Sequence, residues 1–181
     1  MAKQWQGTVH IDAPVSEVYR YLADFAHHPE WDQSVSRIQQ VEKGDANGVG
    51  AQWRSYELLD SLQSDRGRKP LLHLQGSVGV AIREVRELVP NQRIAWHSYP
   101  IPRMGVTSDC AFELEEEDGG TKLTETVQIN APSILDSFGK FVFRSLDAKL
   151  TAQWEANLQA VRHHFEPVTV DAPAPTPVGV S

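Results

Sequence analysis

One carboxylate stands out by where a strand pattern puts it. Leu123, Glu125, Val127 and Ile129 alternate with Lys122, Thr124, Thr126 and Gln128, so the pleat turns Glu125 toward the apolar side. A carboxylate there is costly unless it is paired or protonated. It can anchor a polar ligand group or move a proton. It can also sit harmlessly near a sheet edge, or beside an arginine. Without an arginine nearby, its pKa is expected above the ordinary value.

The other chemistry-bearing residues form no recognised set. The seven histidines include two adjacent pairs, His27-His28 and His163-His164, whose members point to different sides. There is no His-Glu-x-x-His and no paired-cysteine spacing, so no metal site and no cofactor is assigned. His97 and Asp109 fall on the polar faces of their strands. The single cysteine, Cys110, shares a face with Phe112 and reads as a buried, inert thiol. Glu115-Glu116-Glu117-Asp118 reads as a solvated hairpin tip, and Gly76-x-x-Gly79 lacks the lysine of a phosphate loop.

The elements that position these residues follow from periodicity. Trp5, Gly7, Val9 and Ile11 mark a first strand. Asp12 or Ser16 is expected to cap a short helix carrying Val15, Val18, Tyr19, Leu22 and Phe25, with Pro14 in its first turn. His28-Pro29-Glu30-Trp31 breaks it, with room for one more turn. Strands are expected over Val35–Val41 and Ala51–Leu59, joined through Gly44-Asp45-Ala46-Asn47-Gly48. Asp60–Pro70, with Arg66, Arg68 and Lys69, reads as an exposed loop. Leu71–Leu88 contains strand, with a change of phase near Gly76–Gly79 that suggests a bulge. Further strands run through Ile94–Tyr99, Val106–Leu114 and Thr121–Asn130. Ile134, Phe138, Val142, Leu146, Leu150, Trp154, Leu158, Val161 and Phe165 then recur at steps of three and four. They predict one long amphipathic helix, with Trp154 in the core. From Pro167 the Pro-, Ala- and Val-rich chain has no period and reads as a disordered tail.

The fold class is therefore α+β, a helix-grip arrangement. A curved antiparallel sheet of six to seven strands wraps a long C-terminal helix, with two short helices after the first strand. Residues 1–166 form this domain and 167–181 the tail.

At 181 residues and 40% hydrophobic, the chain can bury one real core. A net charge of −7 argues against nucleic acid and anionic lipid. No apolar run reaches membrane-span length, and one cysteine allows no internal disulfide. A cytoplasmic protein without membrane insertion is expected, and a homodimer is compatible with this reading.

Four places resemble the polyketide cyclase/dehydrase branch of the START-like (SRPBCC) superfamily. They are Ile11-Asp12-Ala13-Pro14-Val15-Ser16-Glu17-Val18-Tyr19, Pro29-Glu30-Trp31-Asp32, Val85-Arg86-Glu87-Leu88 with Pro90 to Trp96, and Phe112-Glu113-Leu114 with Gly119 to Thr124. The resemblance spans roughly residues 3 to 166. It implies a cavity between sheet and closing helix for a small, largely apolar molecule of lipid, polyketide or aromatic kind. The expected lining is Trp53, Tyr56, Trp96, Ser98, Phe112, Glu125, Val127, Phe138, Val142 and Leu146. It supplies no universal catalytic motif. Ligand binding is the first reading. The second is a cyclase- or dehydratase-like enzyme, with Glu125 as the sole catalytic candidate and a tyrosine such as Tyr56 as its partner. The third is an interaction protein docking through the Trp31 region or the basic loop. Several convergent polar groups inside would favour the enzyme over a plain carrier.

Overall fold

The computed structural model describes residues 2–58, 78–101, 105–130 and 136–166, with side chains from 148 onward in the last stretch. The expected loop at 60–70, the tail from 167, and the side chains of Phe138, Val142 and Leu146 lie outside the described residues.

The chain runs β1 (Ala2–Ile11), α1 (Val15–Ala23), a 3-10 turn (Phe25–His27), α2 (His28–Trp31), β2 (Val35–Glu42) and β3 (Gln52–Leu58). It continues with β4 (Val78–Val89), β5 (Arg93–Ile101), β6 (Val106–Glu117), β7 (Gly120–Asn130) and α3 (Asp136–Phe165). Seven strands make one antiparallel sheet in the order β1-β7-β6-β5-β4-β3-β2. Each neighbour except the β1–β7 pair is also the next strand in sequence, as hairpins dictate.

The first strand is paired last in sequence, Gly7 opposite Glu125 and Val9 opposite Leu123. Beyond it, the chain turns into α1 at Pro14. Neither Asp12 nor Ser16 caps that helix; Pro14 is the N-cap and no side chain bonds its free N–H groups. Asp12 instead offers its own backbone N–H to the Glu166 carboxylate, 2.6 Å away. The end of α3 is thus tied to the β1–α1 corner. Arg162 holds the same carboxylate at 2.7 Å, and these two bonds lower the Glu166 pKa, the arginine first.

From Val78 onward the register of β4 against β3 is regular, with Gly79 opposite Glu57, and the earlier part of the expected bulge at Gly76–Gly79 lies outside the described residues. The irregularity falls between Val85 and Glu87, against β5. At the β6–β7 turn, Asp118 and Gly119 take φ values of 52° and 81°, which complete the acidic hairpin.

Pairing aligns the inward residues in rows. Val9, Ile11, Leu114 and Leu123 meet Val18 and Leu22 of α1 and Leu158 and Val161 of α3 in one core. Gly7 is required there. A Cβ on it would lie 2.6 Å from the Trp5 ring and 2.9 Å from Leu158. Trp154 is half-buried rather than central, its ring 5.4 Å from that of Trp5.

Candidate functional site

Beside that apolar core the inner face turns polar. Arg83 on β4 shares its face with the buried Ala81 and Val85 and so points inward, with only 5% of its surface exposed. Its guanidinium donates to Asp32 Oδ2 at 2.8 Å, to Glu57 Oε1 at 3.2 Å and to His28 Nδ1 at 3.0 Å. Burial alone would lower the Arg83 pKa, but Asp32 and Glu57 outweigh it and raise it.

Four different elements bring these groups together. His28 and the residues after it come from the one-turn helix α2. Glu57 is the residue before the last of β3, where Ser55 donates to its Oε1 at 3.1 Å. Asn157 descends from α3, accepts from the Gln33 N–H at 3.1 Å and donates to Asp32 Oδ1 at 3.3 Å. Ser34 donates to the same Oδ1 from its backbone and its hydroxyl. Asp32 is therefore fully occupied, in a short loop that has no regular structure of its own.

His28 has no exposed surface. Burial, then the neighbouring Arg83 charge, then His27, hold its pKa well below 6.5. The ring is neutral. Arginine can only donate, so Nδ1 must accept and the proton sits on Nε2.

Glu125 lies inward as its strand pattern requires, between Gly7 on β1 and Phe112 on β6, and is 3% exposed. Burial, reinforced by Asp32 and opposed by Arg83, pushes its pKa up to about 8. At neutral pH it is mostly a carboxylic acid. Cys110, also inward, is pushed up to about 12 by burial and by Glu125, so its thiol is inert.

Among the described residues, four buried polar atoms have no hydrogen-bond partner: His28 Nε2, Trp31 Nε1, Arg83 Nε and Glu125 Oε2. They sit in and around a ring cluster. His28 stacks on Phe25 at 4.2 Å and lies 4.7 Å from Trp31 and 5.5 Å from Trp96. Trp31 and Trp96 each approach Phe112 to 5.4 Å.

Of the expected lining residues, Trp53, Trp96, Ser98, Phe112, Glu125 and Val127 fall on this inner face. Tyr56 does not. Trp53, Ser55 and Glu57 take the inward positions of β3, which turns Tyr56 to the outer face, where Arg37 lies 4.0 Å above its ring. Tyr56 is therefore no partner for Glu125. Trp31 is 1% exposed, so its ring is not a docking contact, and the basic loop offered beside it lies outside the described residues. His97 and Asp109 are on the outer face as expected, joined at 2.6 Å. Among the described residues no group of three or more His, Cys, Asp or Glu side chains could hold a metal.

The residues that sequence reasoning missed are His28, Asp32, Glu57, Arg83 and Asn157. Arg83 carried the same signal as Glu125, a charge in an apolar alternation. The phase of its strand had to be known to see it.

A family model described as polyketide cyclase / dehydrase and lipid transport matches residues 4–166. The chain belongs to this family. No curated protein matches the sequence as a relative. Among solved structures similar to it is the Zhui aromatase/cyclase from Streptomyces sp. R1128. It has 17% identity and a TM-score of 0.67, with 92% of this chain and 94% of that one covered. The di-domain aromatase/cyclase BexL of the BE-7585A biosynthetic pathway is 18% identical, with a TM-score of 0.62. This chain, 92% covered, spans 51% of its length. A START superfamily protein from Mycobacterium smegmatis has 13% identity and a TM-score of 0.51, covering 84% of this chain and 97% of its own. At these identities the likeness establishes the fold that the family shares. Among the described residues no helix is long and apolar enough to cross a membrane.

Proposed function

We propose that this family member binds a small, largely apolar molecule between the inner face of the sheet and α3, with Glu125 as its polar anchor. The observation that carries this is the Glu125 carboxyl, buried with Oε2 unpartnered. A fold needing only a core gains by placing a leucine there, because an unmet buried polar group costs about 1–3 kcal/mol. A side chain kept at that cost is a candidate for function. The aromatic rings of Trp96 and Phe112 on the same face suit a flat or apolar body.

A second reading, a cyclase- or dehydratase-like enzyme, is favoured by one further observation. Glu125 holds its proton near neutrality, as a general acid must, beside the buried Arg83 network. The aromatase/cyclase neighbours share the fold in which such chemistry occurs, which supports the reading by analogy.

Native mass spectrometry of the purified protein, together with titration by the neutral fluorophore N-phenyl-1-naphthylamine, tests the first reading. A co-purifying small molecule, or saturable 1:1 binding, is expected. Neither being found would overturn it. Glu125→Gln should weaken binding without lowering stability. Unchanged binding with lowered stability removes Glu125 from the site.

A further inference from the structure

The four unpartnered atoms differ in kind, and the difference specifies what they would accept. His28 Nε2 and Trp31 Nε1 each carry a hydrogen and can only donate. They stand three residues apart on one helical turn, which puts their rings on the same side, 4.7 Å apart. Arg83 Nε, adjoining His28, is a third donor. Every acceptor oxygen of Asp32 is already used, and so is Glu57 Oε1.

The fixed charges narrow the choice. Asp32 and Glu57 against Arg83 leave one negative charge in surplus, with His28 neutral. A carboxylate or phosphate would add a second negative charge in a sealed region, where charge is least tolerated. An ammonium group suits the charge but adds donors beside His28 and Trp31, and the fourth unpartnered atom, Glu125 Oε2, belongs to a carboxyl that holds its own proton at neutral pH. A neutral oxygen acceptor satisfies both conditions.

We infer that α2 is a carbonyl-binding subsite, in which His28 Nε2–H and Trp31 Nε1–H together take the oxygen of a ketone, ester or lactone group on an uncharged apolar ligand. The inference rests on the ligand-binding reading and adds the class of ligand to it. Trp96 and Phe112, packed against the two donor rings, form the apolar surround of the oxygen. Both nitrogens are sealed off by these neighbours, so the rings must part by about the width of a carbonyl to admit it.

Four molecules with one ring system and different polar groups separate the possibilities: 2-acetylnaphthalene, 2-ethylnaphthalene, 2-naphthoate and 2-(aminomethyl)naphthalene. Isothermal titration at neutral pH should show 2-acetylnaphthalene binding about tenfold more tightly than 2-ethylnaphthalene, as one or two added hydrogen bonds allow. Naphthoate should bind most weakly. In 15N-labelled protein the Trp31 indole N–H, assigned by its loss in Trp31→Phe, should shift downfield with 2-acetylnaphthalene and not with 2-ethylnaphthalene. Trp31→Phe should narrow the tenfold gap.

Equal binding of all four, or an unmoved Trp31 signal, overturns the carbonyl subsite while leaving a binding chamber. Tightest binding by the amine overturns it in favour of Glu125 as an ion-pairing partner. If none of the four binds, the ligand-binding reading fails and the subsite with it. If Trp31→Phe does not fold, nuclear Overhauser contacts to the neighbouring His28 ring assign the Trp31 indole N–H in the unmodified protein, and its shift decides the matter.

Discussion

Leu123 and Glu125 lie two residues apart on β7 and face the same way, yet they answer to different demands. Leu123 joins Ile11, Leu114, Leu158 and Val161 in a region where every side chain is apolar and closely packed. Glu125 opens a region where Arg83, Asp32, His28 and Asn157 are withdrawn from water and Glu57 largely so. The first region gains from burial alone, at roughly 25 cal/mol per Å². The second must recover the desolvation of several charges through geometry, and four of its atoms do not. The molecule therefore stabilises itself at one end of the inner face and spends stability at the other.

That contrast is broken most forcefully at Arg83. Arg83→Met leaves buried Asp32 and half-buried Glu57 without a counter-charge and should destabilise by about 3–5 kcal/mol in urea unfolding. Adding Glu57→Gln to that variant should return part of the loss, because one orphaned charge is gone. A single variant as stable as wild type would mean that water reaches the cluster.

On the apolar side, Leu123→Ala should cost about 2–5 kcal/mol, with nothing recovered by a change of pH. The two large losses thus differ in character: one responds to a second charge substitution and the other only to refilled volume.

Glu125 has a smaller effect with a distinctive sign. Its folded pKa of about 8 lies above the unfolded value of about 4.3. Between these the folded chain keeps a proton that the unfolded chain releases, so stability falls as pH rises through the window and levels off above 8. His28 acts the other way. Its lowered pKa means that the unfolded chain gains a proton below about 6.5 that the folded chain refuses, so stability falls as pH drops. The two slopes oppose each other between about 4.3 and 6.5, and of the two only that of Glu125 continues to 8. Thermal unfolding of Glu125→Gln should lose the decline between pH 6.5 and 8 and be more stable than wild type at pH 8. The same decline in both proteins would mean that another group causes it.

The smallest expected effect is on the exposed side. Lys122 and Glu115 meet at 2.9 Å on the outside of the β6–β7 hairpin. Lys122→Ala should leave the unfolding midpoint unchanged, since solvent screens such pairs.

The same division governs what could be read in advance. The apolar region was legible because burial writes itself into period. Alternation gave the strands and placed Glu125, and steps of three and four gave α3. The polar region was assembled from places where period is weakest. His28 and Asp32 sit on and after a single helical turn, too short for any repeat. Arg83 belongs to a strand whose phase depends on its neighbours. Asn157 did leave a trace, for it stands among Trp154, Leu158 and Val161 on the stripe that faces inward. Tyr56 misled because a large ring suggested a cavity wall, when the alternation of Trp53, Ser55 and Glu57 had already assigned it to the other face.

The pairing of β1 with β7 has a consequence for how the chain is made. Ala2 finds its partner in Asn130, so the strand synthesised first is the one completed last. At the usual ribosomal pace of about 5–20 residues per second, β1 waits on the order of ten seconds with both edges open. Contacts this distant in sequence also slow folding after release. The polar positions along β1 (Gln4, Gln6, Thr8 and His10) alternate with its apolar ones and keep one side of the waiting strand compatible with water. Substituting them with β-branched apolar residues would leave the finished sheet almost untouched and still lower the yield of soluble protein, because the damage falls on the nascent chain.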